Sequence, residues 1–367
     1  MAQSIASIAV VLVAFGWGIT GPSAVASMRS AARGQYFFDS VVSRAWLFLV
    51  AAPIAAVLMW FIAPGDSHAN VLAGITAILP ALGASWFFIG EKRPWTLLLF
   101  ETAPRAIGTI AGAVMLAATG SIIYFACLQL LGSLLAVVVS AWEVTRRHRQ
   151  YSLNLGIRAA ADRLRAQTAG ILTAGTSALY VNVPLLLVAM LAPQATTFYA
   201  AADKLMKFAL TAYSPVVQIA QGYVPCPNRE EHNKRALLAS RAALGIGFVA
   251  GGGFFALAPL GVHLLTAGQA SISHQLSAPL GLVLGSVAIS AVLGTACLTS
   301  LGAIRKVAES TVLGAVCGVP LIVLGGFIFG IYGIAWATAI SELAVAIYQA
   351  RQLSSVIARR RKEDVTD

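Results

Sequence analysis

Eleven apolar runs, each close to the length of a helix that crosses a bilayer, follow one another along this chain and leave few architectures open. They cover residues 4–26, 45–63, 69–90, 95–118, 121–142, 169–192, 205–224, 242–265, 280–301, 311–330 and 334–350. A membrane-crossing helix needs about 20 predominantly apolar residues, and its backbone groups are satisfied within the segment itself. The expected fold class is therefore an all-α polytopic membrane protein with two bundles, of five and six helices. Composition points the same way, with 58% of residues apolar and 11% charged, against about 25% charged in soluble domains. An ordinary soluble enzyme is excluded. The expected organisation is a bundle over 1–142, a basic cytoplasmic linker over 143–168, a second bundle over 169–350 and a basic cytoplasmic tail over 351–367.

Charge sets the expected orientation, because cationic segments resist translocation. All Lys and Arg except Arg105, Lys204 and Lys207 fall in every second gap. Arg29, Arg33 and Arg44 follow the first span, Lys92 and Arg93 the third, and Arg146, Arg147, Arg149, Arg158, Arg163 and Arg165 the fifth. Arg229, Lys234, Arg235 and Arg241 follow the seventh, Arg305 and Lys306 the ninth, and Arg351 with Arg359, Arg360, Arg361 and Lys362 the last. The N-terminus is expected outside and the C-terminus in the cytoplasm. The net charge of +11 then reads as loop charge. Residues 1–15 carry no basic residue to serve as a signal-peptide n-region, and Ala24-Val25-Ala26 only mimics a cleavage site. The expectation is a twelve-helix plan without its first helix, through a start placed too far downstream or a true loss of that span.

An internal repeat supports two halves. Gly90-Glu91-Lys92-Arg93 leads to Glu101, Gly108 and Gly112; Gly302-Ala303-Ile304-Arg305-Lys306 leads to Glu309, Gly314 and Gly318. Each copy runs Gly, basic pair, Glu and a Gly-x-x-x-Gly pair that permits close helix approach. Parallel repeats of this kind mark transporters that hold cargo between their halves; a chance match among Gly-rich spans is the other explanation.

Trp86-Phe87-Phe88-Ile89-Gly90-Glu91, Phe198-Tyr199-Ala200-Ala201-Ala202-Asp203-Lys204, the prolines Pro215 and Pro225 around Tyr223-Val224, and Gln3-Ser4 with Phe15-Gly16 and Gly21-Pro22 occur in a telling order. Together they resemble the polysaccharide flippases of the multidrug/oligosaccharidyl-lipid/polysaccharide exporter superfamily, over essentially the whole chain. Two departures are Ile89, where a Gln is common, and Thr197-Phe198, where a Gly usually precedes the Tyr. The resemblance implies a flippase that moves a polyprenyl-diphosphate-linked glycan to the outer leaflet by alternating access, for lipopolysaccharide or exopolysaccharide export. It also implies a bacterial inner-membrane location and work beside a polysaccharide polymerase and a chain-length regulator.

Ionisable residues at membrane depth are expensive and are the candidates for binding. Asp203 and Lys207 are four apart and can pair on one helical face, which leaves Lys204 as the freer cation; snorkelling to headgroups is its plainer role. Arg105 lies four after Glu101, in the favourable order for a helical pair, and is read either as facing the cavity or as a structural pair. Glu342 sits near the middle of the last span without a neighbouring base. Desolvation there penalises the charged form, which suits ion coupling, while a hydrogen bond to a nearby helix is the duller role. Pro184, Pro215 and Pro320 lie within spans as candidate bends.

Other chemistries lack their residues. No Gly-x-x-x-x-Gly-Lys-Ser/Thr loop, His-Glu-x-x-His helix or Cys-x-x-Cys pair occurs, so neither ATP hydrolysis nor a metalloprotease site is encoded. No cofactor, metal or catalytic residue is expected, and the chain reads as a non-enzyme. The basic runs suit anionic lipid headgroups, and without aromatic platforms they are poor nucleic-acid sites. Two alternatives remain. A cation-coupled multidrug exporter of the same superfamily would want several buried acids, and Glu101, Asp203 and Glu342 are those available. A membrane glycan polymerase or ligase would want a large outer loop, and 266–279 contains no acid or Arg.

Overall fold

The computed structural model describes residues 2–62, 66–149, 151–181 and 183–366, with the side chains of residues 2–4, 62, 179 and 363–366 excepted. Met1, the expected span end at Ala63, the gap beginning at Pro64 and the side chains of Gln3 and Ser4 lie outside what is described. Helices α1 (Ala2–Ala14) and α2 (Trp17–Ser27) form the first crossing, α3 (Ser30–Ile62) the second, and α4 (Ser67–Ile78) with α5 (Ser85–Gly90) the third. Helix α6 (Pro94–Leu97) runs through a π turn into α7 (Ala103–Thr119), and α8 (Ile122–Arg147) and the short α9 (Ile157–Ala166) follow. Then come α10 (Thr168–Tyr180), α11 (Val183–Leu191), α12 (Thr196–Tyr223), α13 (Arg229–Leu265), α14 (His274–Ala291) with a π segment to Leu298, and α15 (Ile304–Thr366).

Among the described residues nine helices are long and apolar enough to cross a membrane. Two more crossings complete the eleven read from the sequence. Helix α12 has 28 residues, about 42 Å at ~1.5 Å per residue, and its charged residues Asp203, Lys204 and Lys207 lower its hydropathy. Gly330, at φ 58° and ψ −138°, divides α15 into two helices, a conformation that suits a residue without Cβ.

The chain separates into two compact units, Met1–Ala178 and Leu179–Asp367. The division falls within α10, beyond the basic linker expected over 143–168. That linker is also more ordered than its charge suggests: α8 continues to Arg147, and α9 occupies 157–166. In the first unit, Trp17, Phe37, Trp86, Phe87 and Phe88 form one buried cluster, and Ala6, Val13, Ala55, Met59 and Ile78 another. Small residues set the helix spacing. A Cβ on Gly108 of α7 would come within 2.7 Å of the Leu128 carbonyl and 2.9 Å of Gly132 Cα on α8. In the second unit α13 and α14 meet in the same way, since a Cβ on Gly281 would stand 2.6 Å from the Gly251 carbonyl oxygen.

One expectation is overturned. The charge pattern places Arg44 in the gap after the first span, yet α3 begins at Ser30 and Arg44 lies well inside it, 1% exposed. The chain needs no long loop there because backbone carbonyls of a broken neighbouring helix receive the guanidinium.

Candidate functional site

In the first unit the polar interior is organised by the break in the third crossing. Helix α4 ends in a 3₁₀ turn over Leu79–Leu82, and α5 starts at Ser85. The Pro80-Ala81-Leu82-Gly83 sequence ends the regular ladder, since Pro lacks an amide donor, so carbonyls and amides face each other across a gap in the helix. Arg44 Nη1 donates to the Ala81 carbonyl at 2.7 Å and to the Gly83 carbonyl at 3.0 Å. Its Nη2 donates to Ser40 Oγ at 3.0 Å, and the guanidinium lies 5.5 Å over the Trp86 ring. On the other side of the break, Glu101 accepts the Ala84 N–H and pairs with Arg105. Cation on the carbonyl end and carboxylate on the amide end is the arrangement that half-helix dipoles favour.

Three ionisable side chains thus meet in this interior, two basic and one acidic. Arg44 and Glu101 are each only 1% exposed, whereas Arg105 is partly exposed and its Nε is buried without a hydrogen-bond partner among the described residues. The sequence pointed to Glu101 and Arg105 but not to Arg44. The available signals were Pro80 and Gly83 inside an apolar run and Ser40 one turn before Arg44.

Two further carboxylates gather the basic residues at the end of this unit. Glu91 holds Arg33 and Arg93, each at 3.7 Å, and His148 Nε2 at 2.9 Å. Glu143, wholly buried on the last turn of α8, pairs with Arg146 at 3.0 Å and with Arg147. The aromatic-Gly-acid segment therefore works as a collar, its rings packed inward and its acid tying α3 and α8 together.

In the second unit, Asp203 is buried on α12 and pairs with Lys207 at 2.7 Å. Lys204 is exposed, with its ammonium 5.9 Å from the centre of the Phe208 ring. Tyr199, one turn before Asp203, is buried and lies in electrostatic reach of both Asp203 and Tyr180. Tyr180 in turn interacts with Glu342. Glu342 is 9% exposed, and no basic residue pairs with it among the described residues. Beside it, Ser341 Oγ donates to the Gly314 carbonyl at 3.2 Å. This unit therefore holds two buried acids, one paired with a lysine and one without a basic partner among the described residues, with Tyr199 and Tyr180 in their neighbourhood. No group of three or more potential metal ligands occurs among the described residues.

The repeat copies differ in their interiors. Glu101 is buried against the break, while Glu309 is exposed and pairs with Lys306 at 2.9 Å and accepts from Tyr348 Oη at 3.0 Å.

No model of a known family matches the chain, and no curated protein matches it. Solved structures do. A point mutant of VcmN, a Vibrio cholerae MATE transporter, aligns with a TM-score of 0.74 at 15% identity, covering 96% of this chain and 86% of that one. The fold is that of a MATE transporter. An outward-facing multidrug resistance MATE family transporter of the MOP superfamily aligns with a TM-score of 0.72 at 12% identity, over 97% of this chain and 86% of that one. An inward-facing member of the same description aligns with a TM-score of 0.60 at 14% identity, over 97% and 91%. The MATE plan thus accounts for the all-helical, multi-pass, two-lobed architecture read from the sequence.

Proposed function

We propose that this chain is a secondary transporter of the MOP superfamily that works by alternating access, exporting an amphiphilic small molecule in exchange for cations. The observation that carries this reading is Glu342. A carboxyl buried in the last crossing, without a basic partner among the described residues and beside Tyr180, is costly unless it exchanges a cation or a proton. The acids that such an exporter wants are buried: Glu101, Asp203 and Glu342 all lie in the protein interior. Its fold neighbours include multidrug resistance transporters in outward-facing and inward-facing states.

The test is ethidium efflux from proteoliposomes under an imposed proton or sodium gradient. Wild-type protein should give gradient-dependent efflux, and Glu342→Gln should abolish the dependence while the protein still inserts. Equal gradient-driven efflux by the variant would remove Glu342 from coupling.

A second reading is favoured by the first unit, where Arg44 and Arg105 outnumber Glu101 and the Arg105 Nε has no hydrogen-bond partner among the described residues. An excess cation in that interior suits an anionic cargo such as a polyprenyl-diphosphate-linked glycan; Lys204 and Lys207 of the second unit are separate candidates for contact with such a cargo. A membrane-impermeant glycan label decides it. Lipid-linked glycan trapped on the cytoplasmic face in cells lacking the gene, and again in cells carrying Arg105→Ala or Lys204→Ala, would replace the exporter reading with the flippase reading. In either reading the basic loops and tail face the cytoplasm, as the charge distribution favours.

A further inference from the structure

Between α8 and α9, residues 151–156 have no regular secondary structure, yet they are fastened to α3 along their length. The Tyr151 ring stacks on Phe38 with centroids 3.9 Å apart. Gln35 Nε2 donates to the Ser152 carbonyl at 3.0 Å, and the Ser152 N–H donates to Gln35 Oε1 at 2.8 Å. Trp46 Nε1 donates to the Leu155 carbonyl at 3.1 Å. Arg163 ties α9 to the same helix through Asp39 at 2.7 Å and reaches the Asn154 carbonyl at 3.3 Å. A segment held this firmly would be expected to turn its apolar side chains toward its support. Instead Leu153, Leu155 and Ile157 are 57%, 65% and 64% exposed.

Depth explains the arrangement. The exposed apolar stripe of α3 begins at Trp46 and runs through Leu49, Val50, Ile54 and Val57 to Phe61, about 22 Å at ~1.5 Å per residue. The segment therefore meets α3 where the apolar stripe starts. Trp142, near the end of α8, is also exposed and carries Arg146 over its ring at 5.4 Å. Tryptophans at both places match the aromatic belt of a membrane interface. Irregular backbone cannot lie in hydrocarbon with its polar groups open, so the segment belongs at the headgroup level with only its side chains reaching inward.

Charge selects the lipid. Glu143 is shared by Arg146 and Arg147, and Arg163 and Arg165 have Asp39 and Asp162. Arg149 and Arg158, which flank the apolar side chains, are exposed and have no carboxylate partner among the described residues. We propose that residues 151–158, with Arg149 before them, form a strap that seats on anionic phospholipid, with Leu153, Leu155 and Ile157 inserted below the headgroups and Arg149 and Arg158 engaging the phosphates. Apolar insertion combined with cationic attraction is the general recipe for interfacial binding. The proposal is independent of what the transporter carries.

Hydrogen exchange on the full chain tests it, in detergent and in nanodiscs of phosphatidylcholine with or without phosphatidylglycerol. The strap amides should exchange more slowly in both nanodiscs than in detergent. Phosphatidylglycerol should slow them further, by about thirtyfold for two arginines at an anionic surface. Arg149→Gln with Arg158→Gln should remove the phosphatidylglycerol effect alone. Leu153→Ser, Leu155→Ser and Ile157→Ser together should remove the slowing in both nanodiscs, with exchange in α3 and α8 unchanged as the check on folding. Equal exchange in detergent and both bilayers, or slowing that survives both sets of substitutions, would overturn the proposal.

Discussion

Arg44→Leu offers the sharpest test of the first unit's interior. Leucine retains much of the volume of the arginine stem, so the main loss is polar. The Ala81 and Gly83 carbonyls lose a charged donor at 2.7 and 3.0 Å, and no solvent reaches a side chain that is 1% exposed. Each buried carbonyl left without a donor costs about 1–3 kcal/mol, and breaking a buried ionic cluster costs about 3–5 kcal/mol. We expect a loss of about 4 kcal/mol, which in a lobe of this size lowers the melting temperature by about 10 °C at 2–4 °C per kcal/mol. Arg44→Lys should fall between, because one ammonium cannot reproduce the planar fork that reaches two carbonyls and Ser40 Oγ. Arg165→Ala, at an exposed pair with Asp162, is the control and should shift little. The assay is thermal unfolding in detergent at a fixed scan rate, since membrane proteins commonly unfold irreversibly. A shift for Arg44→Leu no larger than that of the control would refute the account of Arg44 as the keeper of the helix break.

Glu101→Gln should destabilise strongly, because it removes the charge that answers Arg105 and caps the Ala84 amide, whereas Glu309→Gln, exposed on its helix, should melt within about 2 °C of wild type, as a surface change does; parallel melting curves check both. Gly108→Leu should push α7 from α8 and cost about 1–3 kcal/mol through overpacking, seen as a lower melting temperature. Glu342→Gln should leave the melting temperature unchanged or raised, since it replaces a buried carboxyl that has no basic partner among the described residues, while abolishing gradient-dependent efflux.

The path of the chain was legible in its residues because the bilayer imposes one length and one periodicity on every crossing. The eleven apolar runs became helical crossings, several of them broken into two helices, and the Gly-x-x-x-Gly pairs after each basic loop became close helix contacts: Gly108 and Gly112 against Leu128 and Phe125, Gly314 and Gly318 against Val345 and Ser341. What hydropathy hides is the depth of a charged residue at the edge of a run. Arg44 stands next to an apolar run and looks like a loop residue; the carbonyls of Ala81 and Gly83, 37 and 39 positions away, together with Ser40 make its burial tolerable. Glu143 likewise reads as the start of a solvated linker and is instead buried by the arginines three and four residues after it. For the candidate site, Glu101, Arg105, Asp203, Lys204, Lys207 and Glu342 could each be named from type and position. Their company could not, because Tyr180, Tyr199 and Arg44 carry no sequence mark of the partner they meet.

The same reasoning explains why the two units have unlike interiors. In the first unit the third crossing breaks at Pro80–Gly83, and the open carbonyls and amide draw Arg44 and Glu101 inward as counter-charges. In the second unit the matching crossing stays helical and absorbs its irregularity as a π segment over Val292–Leu298. There the freed carbonyls are met within the chain: Thr299 Oγ1 donates to Gly294 at 2.8 Å and Thr295 Oγ1 to Ala291 at 2.6 Å. A π segment answered by hydroxyls calls for no ion, so Glu309 is free to sit at the surface with Lys306. The buried acids of that unit, Asp203 and Glu342, are accordingly not required to hold a helix end together. A carboxylate that has no structural debt to a backbone break can change its occupant during a cycle, which is why we propose ion coupling at Glu342 and not at Glu101.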